Sequence, residues 1–488
     1  RHGIDFIIID SKEVPTIQSR AIVVTARSLE IYQQLGLAEE VVARGAKINS
    51  VNVYSEGKKR AEVKIGEIGV GHTDFHFMLG FEQSKNEEVL YQNLLRYGKD
   101  VMWNTEFVRL EESKDEVTVH AKGSTGPVKV SAPYVIASDG ARSPIRHQLN
   151  FKFEGGTYEN KFFVVDVEMD WDLEYDKLVV SPADKTFCAF FPLQGNKYYR
   201  VLGTLPKEYY EKEDVTFDDI RGVVNETIKL PITFKKVNWF TVYKLHHRCV
   251  DKFRKDRVFL AGDAAHIHSP AGGQGMNTGL QDAYNLCWKL ACVFKGYAKD
   301  NLLDTYNEER LPFAQWLMKF TDRGFSMMTS TNWLIAKLRK YVGMHLVGLV
   351  FSGKRTRQRA FKTVSQIWLS YKKRGLSLHA SAQKLTFRAG DRLPFIKGGY
   401  YDDFRAPGFH LLHISDKLLS DETKKEMLSF FPFPVKIMEN TLTDWKAFGV
   451  SKELFVLVRP DNYTAFVTDI LTRKDCAEYL EKYFVKGF

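Results

Sequence analysis

The stretch GDAAHIHSPAGGQGMN, Gly262 to Asn277, gathers a carboxylate, two histidines, a proline and the glycines Gly262, Gly272, Gly273 and Gly275 between an apolar run, RVFLA, and a helical pattern, TGLQDAYNLCWKLACVF. Residues of these types do not serve a core. An apolar strand that empties into Asp263, followed by a glycine-rich loop and a helix starting near Met276, leaves unpaired N–H groups at a helix start, where the dipole favours negative charge. Glycine lets a flat ring approach the backbone. The chemistry implied is the binding of a charged, planar ligand beside a carboxylate.

Two further stretches carry charge at strand ends. In ASDGARSPIR the strand YVIA runs into Asp139-Gly140, with Arg142, Ser143 and Arg146 beside it, which builds a tight turn and a cationic rim suited to an anion. At the start of the chain RHG reads as the last turn of a helix stopped by Gly3, and IDFIII as a buried strand ending on Asp10. A strand ending on an acid is the second strand of a dinucleotide-binding βαβ unit, its carboxylate accepting from ribose hydroxyls. The GxGxxG turn of that unit would lie about 20 residues upstream, before Arg1. The chain is therefore expected to be truncated at its N-terminus.

The elements that must position these residues follow from periodicity. Thr25–Leu37 places Leu29, Tyr32 and Leu35 at helical spacing with Gly36 near the stop, and Arg20 and Arg27 flank the apolar AIVVTA that enters it. Phe81–Gly98 reads as a capped amphipathic helix, and EVTVHAK and KVSAPYVIA as strands. Residues 151–245 alternate short β-type runs with turns and are rich in aromatics: Phe187, Phe190, Phe191, Tyr198, Tyr199, Trp239 and Phe240. They form a core or the wall of a pocket.

With 488 residues the chain exceeds one core, and about three domains are expected. The net charge of +10 comes from 70 basic residues interleaved with 60 acidic ones, a pattern that disfavours nucleic acid and is compatible with phosphate-bearing cofactors. Five cysteines without a CxxC pair exclude a zinc or disulfide scaffold and suit a reducing, cytoplasmic setting. No metal site and no membrane span are expected.

Four ordered segments resemble one family. RVFLAGDAAHIHSPAGGQGMNTGLQDAYNLCWKL is similar to the second FAD fingerprint of the class A flavoprotein aromatic hydroxylases, the family of p-hydroxybenzoate and phenol hydroxylases. ASDGARSPIR resembles its DG motif, and RAIVVTARSLEIYQQLGL and EQSKNEEVL resemble further family segments in the same order. The likeness runs from the first residue to about Ala298. It continues more faintly through TDRGFSMMTS, AGDRLPF and LFVLVRPDNYTAF, which resemble the C-terminal thioredoxin-like domain of the phenol-hydroxylase branch. That domain has no CxxC here, which leaves a packing or dimer role.

The resemblance implies an α/β fold in five segments. Residues 1–150 would form the first part of a Rossmann-like FAD-binding domain, 151–245 a β-rich substrate domain, 246–320 the second part of the FAD domain, 321–380 a helical segment, and 381–488 the thioredoxin-like domain. Within 321–380, NWLIAKLRKYVGMHLVGLVF is assigned to packing. Asp10 would bind the adenosine ribose, and Arg20 and Gln83 the pyrophosphate and ribityl region. Gly262 and Asp263 would face the ribityl chain. The backbone of Gly273, Gly275, Met276 and Asn277 would lie against the N1–C2=O edge of the isoalloxazine, with Pro270 near its reactive face. Asp139, Arg142 and Arg146 would tie the two fingerprints together and help the nicotinamide cofactor dock, and His266 would be structural.

The implied reaction is hydroxylation of a phenolic or other electron-rich aromatic by NADPH or NADH and O2, through a C4a-hydroperoxyflavin, in a homodimer. The phenol-hydroxylase branch places an Asp between the two arginines, whereas this chain has AIVV there. The group that deprotonates the substrate is thus open, with Tyr199, Arg200 and Tyr209 as candidates. Two other readings stand beside this one: a degenerate or truncated flavoprotein without turnover, and a flavin-dependent halogenase, whose WxWxIP stretch the chain lacks.

Overall fold

A computed structural model describes residues 1–17, 21–183, 186–195, 197–269, 273–329, 353–398 and 400–485. Arg20, Pro270 and the segment 332–351 assigned to packing lie outside the described residues.

The aromatic-rich β region builds the largest sheet. Its strands run in the order β19 (His266–Ile267), β16 (Thr233–Val250), β12 (Phe153–Asp170), β15 (Tyr198–Thr204), β14 (Phe187–Pro192), β13 (Lys177–Pro182), β4 (Ser50–Ser55) and β5 (Lys58–Lys64). The sheet thus extends beyond 151–245 and recruits a hairpin from the first part of the chain, β13 pairing in parallel with β4. Side chains alternate between faces, and this sorts the aromatics. Phe162, Phe187, Phe191, Tyr198 and Tyr243 share an inner face with Ile22, Val23 and Ala26. Phe163, Phe190, Tyr199 and Phe240 lie on the outer face, which α6 (Phe217–Ile228) covers.

Smaller sheets carry the charged strand ends. β2 (Val23–Val24) pairs with β6 (Met78–Gly80), which also pairs with β3 (Ala46–Ile48). β11 (Val135–Ala137) runs parallel to β18 (Val258–Leu260), with β17 (Arg254–Lys255) beyond it. β8 (Glu106–Glu112), β9 (Val117–Gly123) and β10 (Gly126–Ala132) form a meander. β1 (Ile8–Ile9) pairs in parallel with β7 (Val101–Met102). The expectation of a buried strand over 4–9 is corrected here. Only two residues are extended in a ladder, and Phe6, Ile7 and Ile8 are 47%, 59% and 38% exposed. The reason is that β1 has a neighbour along one edge alone among the described residues, so its apolar side chains are not enclosed.

The helices are α1 (Ala26–Gln34), short α2 (Ala38–Ala43) and α3 (Ile65–Ile68), α4 (Gln83–Arg96), α5 (Pro144–Gln148), α7 (Gln274–Phe294), α8 (Asp304–Thr329) and α9 (Lys354–Val364). Leu29 and Tyr32 of α1 are fully buried, and Gly36 beyond it has φ +73°, the left-handed stop its position suggests. The cap expected on α4 is absent: Glu82 precedes it without a side-chain cap bond.

The C-terminal part is a mixed five-stranded sheet, β20 (Leu378–His379), β24 (Thr464–Thr468), β23 (Leu454–Val458), β21 (Phe409–Ile414) and β22 (Val435–Asn440). Its Phe409, Leu411, Phe455 and Phe466 share one core with Trp288 and Cys292 of α7. Buried charges cross the same junction. Arg459 grips Glu309 of α8 (Nη1–Oε1 2.5 Å, Nη2–Oε2 2.9 Å) and also pairs with Asp461, and Lys289 of α7 bonds Glu309 at 2.9 Å. Arg27 of α1 donates to the Asp461 carbonyl at 2.6 Å, and Arg392 pairs with Glu30 at 3.0 Å.

Candidate active site

The helix start anticipated near Met276 begins at Gln274. Its N-cap, Gly273, has φ +64°, and a Cβ there would meet Val23 Cβ at 2.7 Å, so only glycine fits. No side chain caps this 21-residue helix and no acid stands in its first turn. A Cβ at Gly275 would meet nothing within 4 Å. A helix start without a side-chain cap, beside a position open at Gly275, suits a flat group carrying negative charge.

Asn277 holds this terminus in place. Its Nδ2 donates to the carbonyls of Val23 (2.8 Å) and Gly273 (2.7 Å), and its Oδ1 accepts from the backbone N–H of Thr25 (2.9 Å). Met276 packs against the α1–α4 core, and its sulfur accepts from Asn86 at 3.6 Å. Gln83 at the start of α4 is tied to the same strand: its N–H donates to the Ala21 carbonyl and its Oε1 accepts from Ala21 N–H at 3.3 Å.

The GD turn sits beside α7. Gly262 has φ +58° and lies so close to Gly279 that a Cβ on the latter would stand 3.4 Å from the Gly262 Cα. Its N–H donates to Asp282 Oδ2 at 3.2 Å. Asp263 follows on the exposed side of the turn. In the DG stretch, Ser143 caps α5 by accepting from Arg146 N–H at 2.9 Å, with Pro144 at the first helical position. Asp139 accepts from Ile145 N–H at 3.2 Å. Arg146 is buried and reaches across to the second fingerprint: it donates to the carbonyls of Ala264 (3.0 Å) and Ala141 (2.8 Å) and stacks on Phe153. Its donors are thereby committed, and Arg142 remains the exposed cation of that rim. Asp10 is one-third exposed at the end of β1 and accepts from Lys12 N–H at 2.9 Å.

The structure separates the acid–base candidates. Tyr199 lies on the outer face under α6, its hydroxyl accepting from Trp171 Nε1 at 3.0 Å, which makes it a core residue. Tyr209 donates to the Asp219 carbonyl at 3.0 Å. Arg200 lies on the inner face, gripped by Asp166 through two 2.6 Å bonds and stacked near Trp239.

Sequence reasoning missed the residues behind the histidines. Asp282 of α7 accepts from His266 Nε2 at 2.6 Å and from Arg310 Nε of α8 at 2.7 Å. Burial would raise its pKa, but His266 and Arg310 outweigh that and hold it below the usual carboxylate range. A signal existed: Asn277, Gln281, Asp282, Asn285 and Lys289 recur at helical spacing in a helix whose flanks are apolar, and all five are buried. Polar residues spaced like a core stripe announce a buried network.

Residues 1–321 match the family described as FAD binding domain. A 6-methylpretetramide 4-monooxygenase of Streptomyces rimosus is 31% identical over 416 residues, covering 83% of this chain and 72% of that protein. Pentachlorophenol 4-monooxygenase of Sphingobium chlorophenolicum is 31% identical over 325 residues, 66% of this chain and 60% of that one. Among solved structures, an aklavinone-11 hydroxylase complex with FAD and aklavinone superposes with a TM-score of 0.78 at 20% identity, over 99% of this chain and 95% of that one, a likeness of fold. The chain belongs to the FAD-binding family of class A flavin aromatic hydroxylases, and is an FAD-dependent aromatic monooxygenase. No helix among the described residues is long and apolar enough to cross a membrane, and no cluster of metal-ligating side chains occurs among them.

Proposed function

We propose that this enzyme hydroxylates a phenolic or similarly electron-rich aromatic ring, using NADPH or NADH and O2, in the space between the aromatic inner face of the large sheet and the start of α7. The observation that carries this reading is the uncapped α7 terminus with its glycine floor, pinned by Asn277. FAD supplies reduction by the nicotinamide and activation of O2. The chain supplies binding, orientation and exclusion of water.

In this assignment Asp10 takes the adenosine ribose, Arg20 and Gln83 the pyrophosphate and ribityl region, and Asp263 a ribityl hydroxyl. The N–H groups of Gly275, Met276 and Asn277 would stabilise negative charge on the flavin ring, and Pro270, outside the described residues, is assigned to its reactive face. Arg142 is the cation that helps the nicotinamide cofactor dock, while Arg146 keeps the two fingerprints in register. Residues 381–488 form a thioredoxin-like packing domain, and the working unit is a homodimer.

The test is the visible spectrum of the protein after FAD is added and excess removed, followed by NAD(P)H oxidation with a series of phenols, scoring oxygenated product against hydrogen peroxide. Retained flavin and a phenol that accelerates NAD(P)H oxidation with product formed support the reading. A flavin-loaded protein that no aromatic stimulates rejects it.

A further inference from the structure

The interleaving of basic and acidic residues breaks in one stretch. Between Asp322 and Asp391 the chain carries fourteen Lys or Arg and no Asp or Glu, whereas the remainder holds 56 basic and 60 acidic residues, so the net charge of +10 is confined to this stretch. Its described part and the end of α8 also expose aromatic rings. Phe320 is 48% and Trp368 37% exposed. They meet through Trp316, whose ring stacks on Phe320 at 5.0 Å and stands edge-on to Trp368 at 4.6 Å. An exposed aromatic cluster beside a cationic stretch marks an interaction surface.

Helix α8 puts rings and charge on one side. Trp316, Phe320 and Arg323 recur at i, i+4 and i+7, and Lys319 precedes Phe320, so two exposed cations flank the exposed ring. Phe313, one turn earlier, is buried in a cluster with Leu317, Leu369 and Tyr371, and this cluster holds Trp316 from behind. Tyr371 opens a turn that bears the exposed Lys373 and Arg374. None of Lys319, Arg323, Lys373 and Arg374 has an ion-pair partner among the described residues. The acids that bound the stretch are committed: Asp322 accepts from Tyr158 at 2.8 Å, and Asp391 pairs with Lys372 at 2.9 Å.

We propose that Trp316, Phe320 and Trp368, with Lys319, Arg323, Lys373 and Arg374 around them, dock the enzyme on the surface of a bilayer that contains anionic lipid. The chemistry of the face selects this occupant. Aromatic rings settle at the boundary of headgroups and acyl chains, and the cations stay level with the lipid phosphates. A second copy of the same face would set cation against cation. A nucleic-acid strand needs open ring faces for its bases, whereas Trp316 stacks with both Phe313 and Phe320, one turn to each side of it.

The two parts of the face act differently. Attraction by the cations is screened by salt, over about 10 Å at 0.1 M, while burial of the rings is not. The same end of α8 is tied to the inner face of the large sheet, because Asp322 bonds Tyr158, which packs on that face. Docking therefore holds the space assigned to the aromatic substrate near the bilayer, where an apolar aromatic dissolves. Only this last link rests on the hydroxylase reading above.

The experiment is co-sedimentation of the FAD-loaded enzyme with vesicles of phosphatidylcholine, alone or mixed with phosphatidylserine, at low and high salt. Mixed vesicles should bind it, phosphatidylcholine alone should bind it far more weakly, and salt should reduce binding without abolishing it. Lys319→Gln combined with Arg323→Gln should weaken binding to mixed vesicles by about tenfold or more at low salt. Phe320→Ala combined with Trp368→Ala should remove the part that survives salt. Both double variants should keep bound FAD and the wild-type rate of NAD(P)H oxidation without vesicles, which separates docking from the hydroxylase reading. A wild-type holoenzyme that stays in solution beside mixed vesicles overturns the proposal, as does vesicle binding that neither double variant weakens. If vesicles fail to bind and Phe320→Ala with Trp368→Ala dissociates a dimer, the face belongs to a second copy. If single-stranded DNA binds in place of vesicles, the face belongs to nucleic acid, and either result overturns docking on lipid.

Discussion

At the scale of single residues, Gly273, Gly275 and Asn277 do three separable things, and substitutions tell them apart. Gly273 is required by the backbone: Gly273→Ala forces a Cβ into the left-handed region and against Val23, and should cost about 1–2 kcal/mol in urea denaturation. In the proposed assignment Gly275 is required by the ligand. Its Cβ direction is open and its backbone is helical, so Gly275→Leu should leave the melting temperature unchanged or raised. It should nevertheless weaken FAD binding by at least about tenfold, measured by flavin fluorescence, a change worth about 1.4 kcal/mol. Asn277 is required by the backbone and, in the same assignment, by the ligand. Asn277→Ala strands the Thr25 N–H and two carbonyls in a buried place and should cost about 2–4 kcal/mol together with loss of bound FAD.

At the scale of elements, α7 and α8 are held to the C-terminal sheet by charges rather than by apolar contact alone. Glu309 is fully buried between Arg459 and Lys289. Burial pushes its pKa upward, yet the two cations outweigh this and bring it from 4.5 down to about 2. A carboxyl depressed on folding contributes stability that is complete above its unfolded value, near 4.5, and is lost as pH falls through 2. Glu309→Gln should therefore cost about 3–5 kcal/mol at neutral pH, because it leaves buried cations uncompensated. It should also flatten the acid limb of stability between pH 4.5 and 2, as followed by circular dichroism during acid titration.

At the scale of the molecule, the C-terminal sheet and the FAD-binding part share one core cluster besides those each has of its own. Trp288 and Cys292 of α7 pack with Phe409, Leu411 and Phe455, and Asp461 anchors Arg27 of α1, two residues beyond Thr25, whose N–H the Asn277 side chain holds. A chain ending at residue 380 would uncover that core and leave Lys289 and Glu309 without Arg459. It should be insoluble or retain no FAD. A soluble, flavin-loaded 1–380 fragment would show instead that the C-terminal sheet is an accessory part.

What the chain determined by itself is local. A glycine at a left-handed turn, an acid at a strand end and a serine and proline opening α5 each act through the nearest residues, so the turns and helix starts of these stretches, and through the family resemblance the class of chemistry, were legible before any fold. Tertiary structure decided everything that depends on which face a residue takes and what stands opposite. It put Tyr199 under α6 and left Arg200 on the inner face, although they are adjacent in sequence, because neighbouring strand residues point to opposite sides. It left Phe6 to Ile8 exposed, since an apolar run does not specify its neighbour. It brought Asp282 and Arg310 behind His266, and Arg459 beside Glu309 across 150 residues, because the partners of a buried charge are chosen by packing and not by sequence distance.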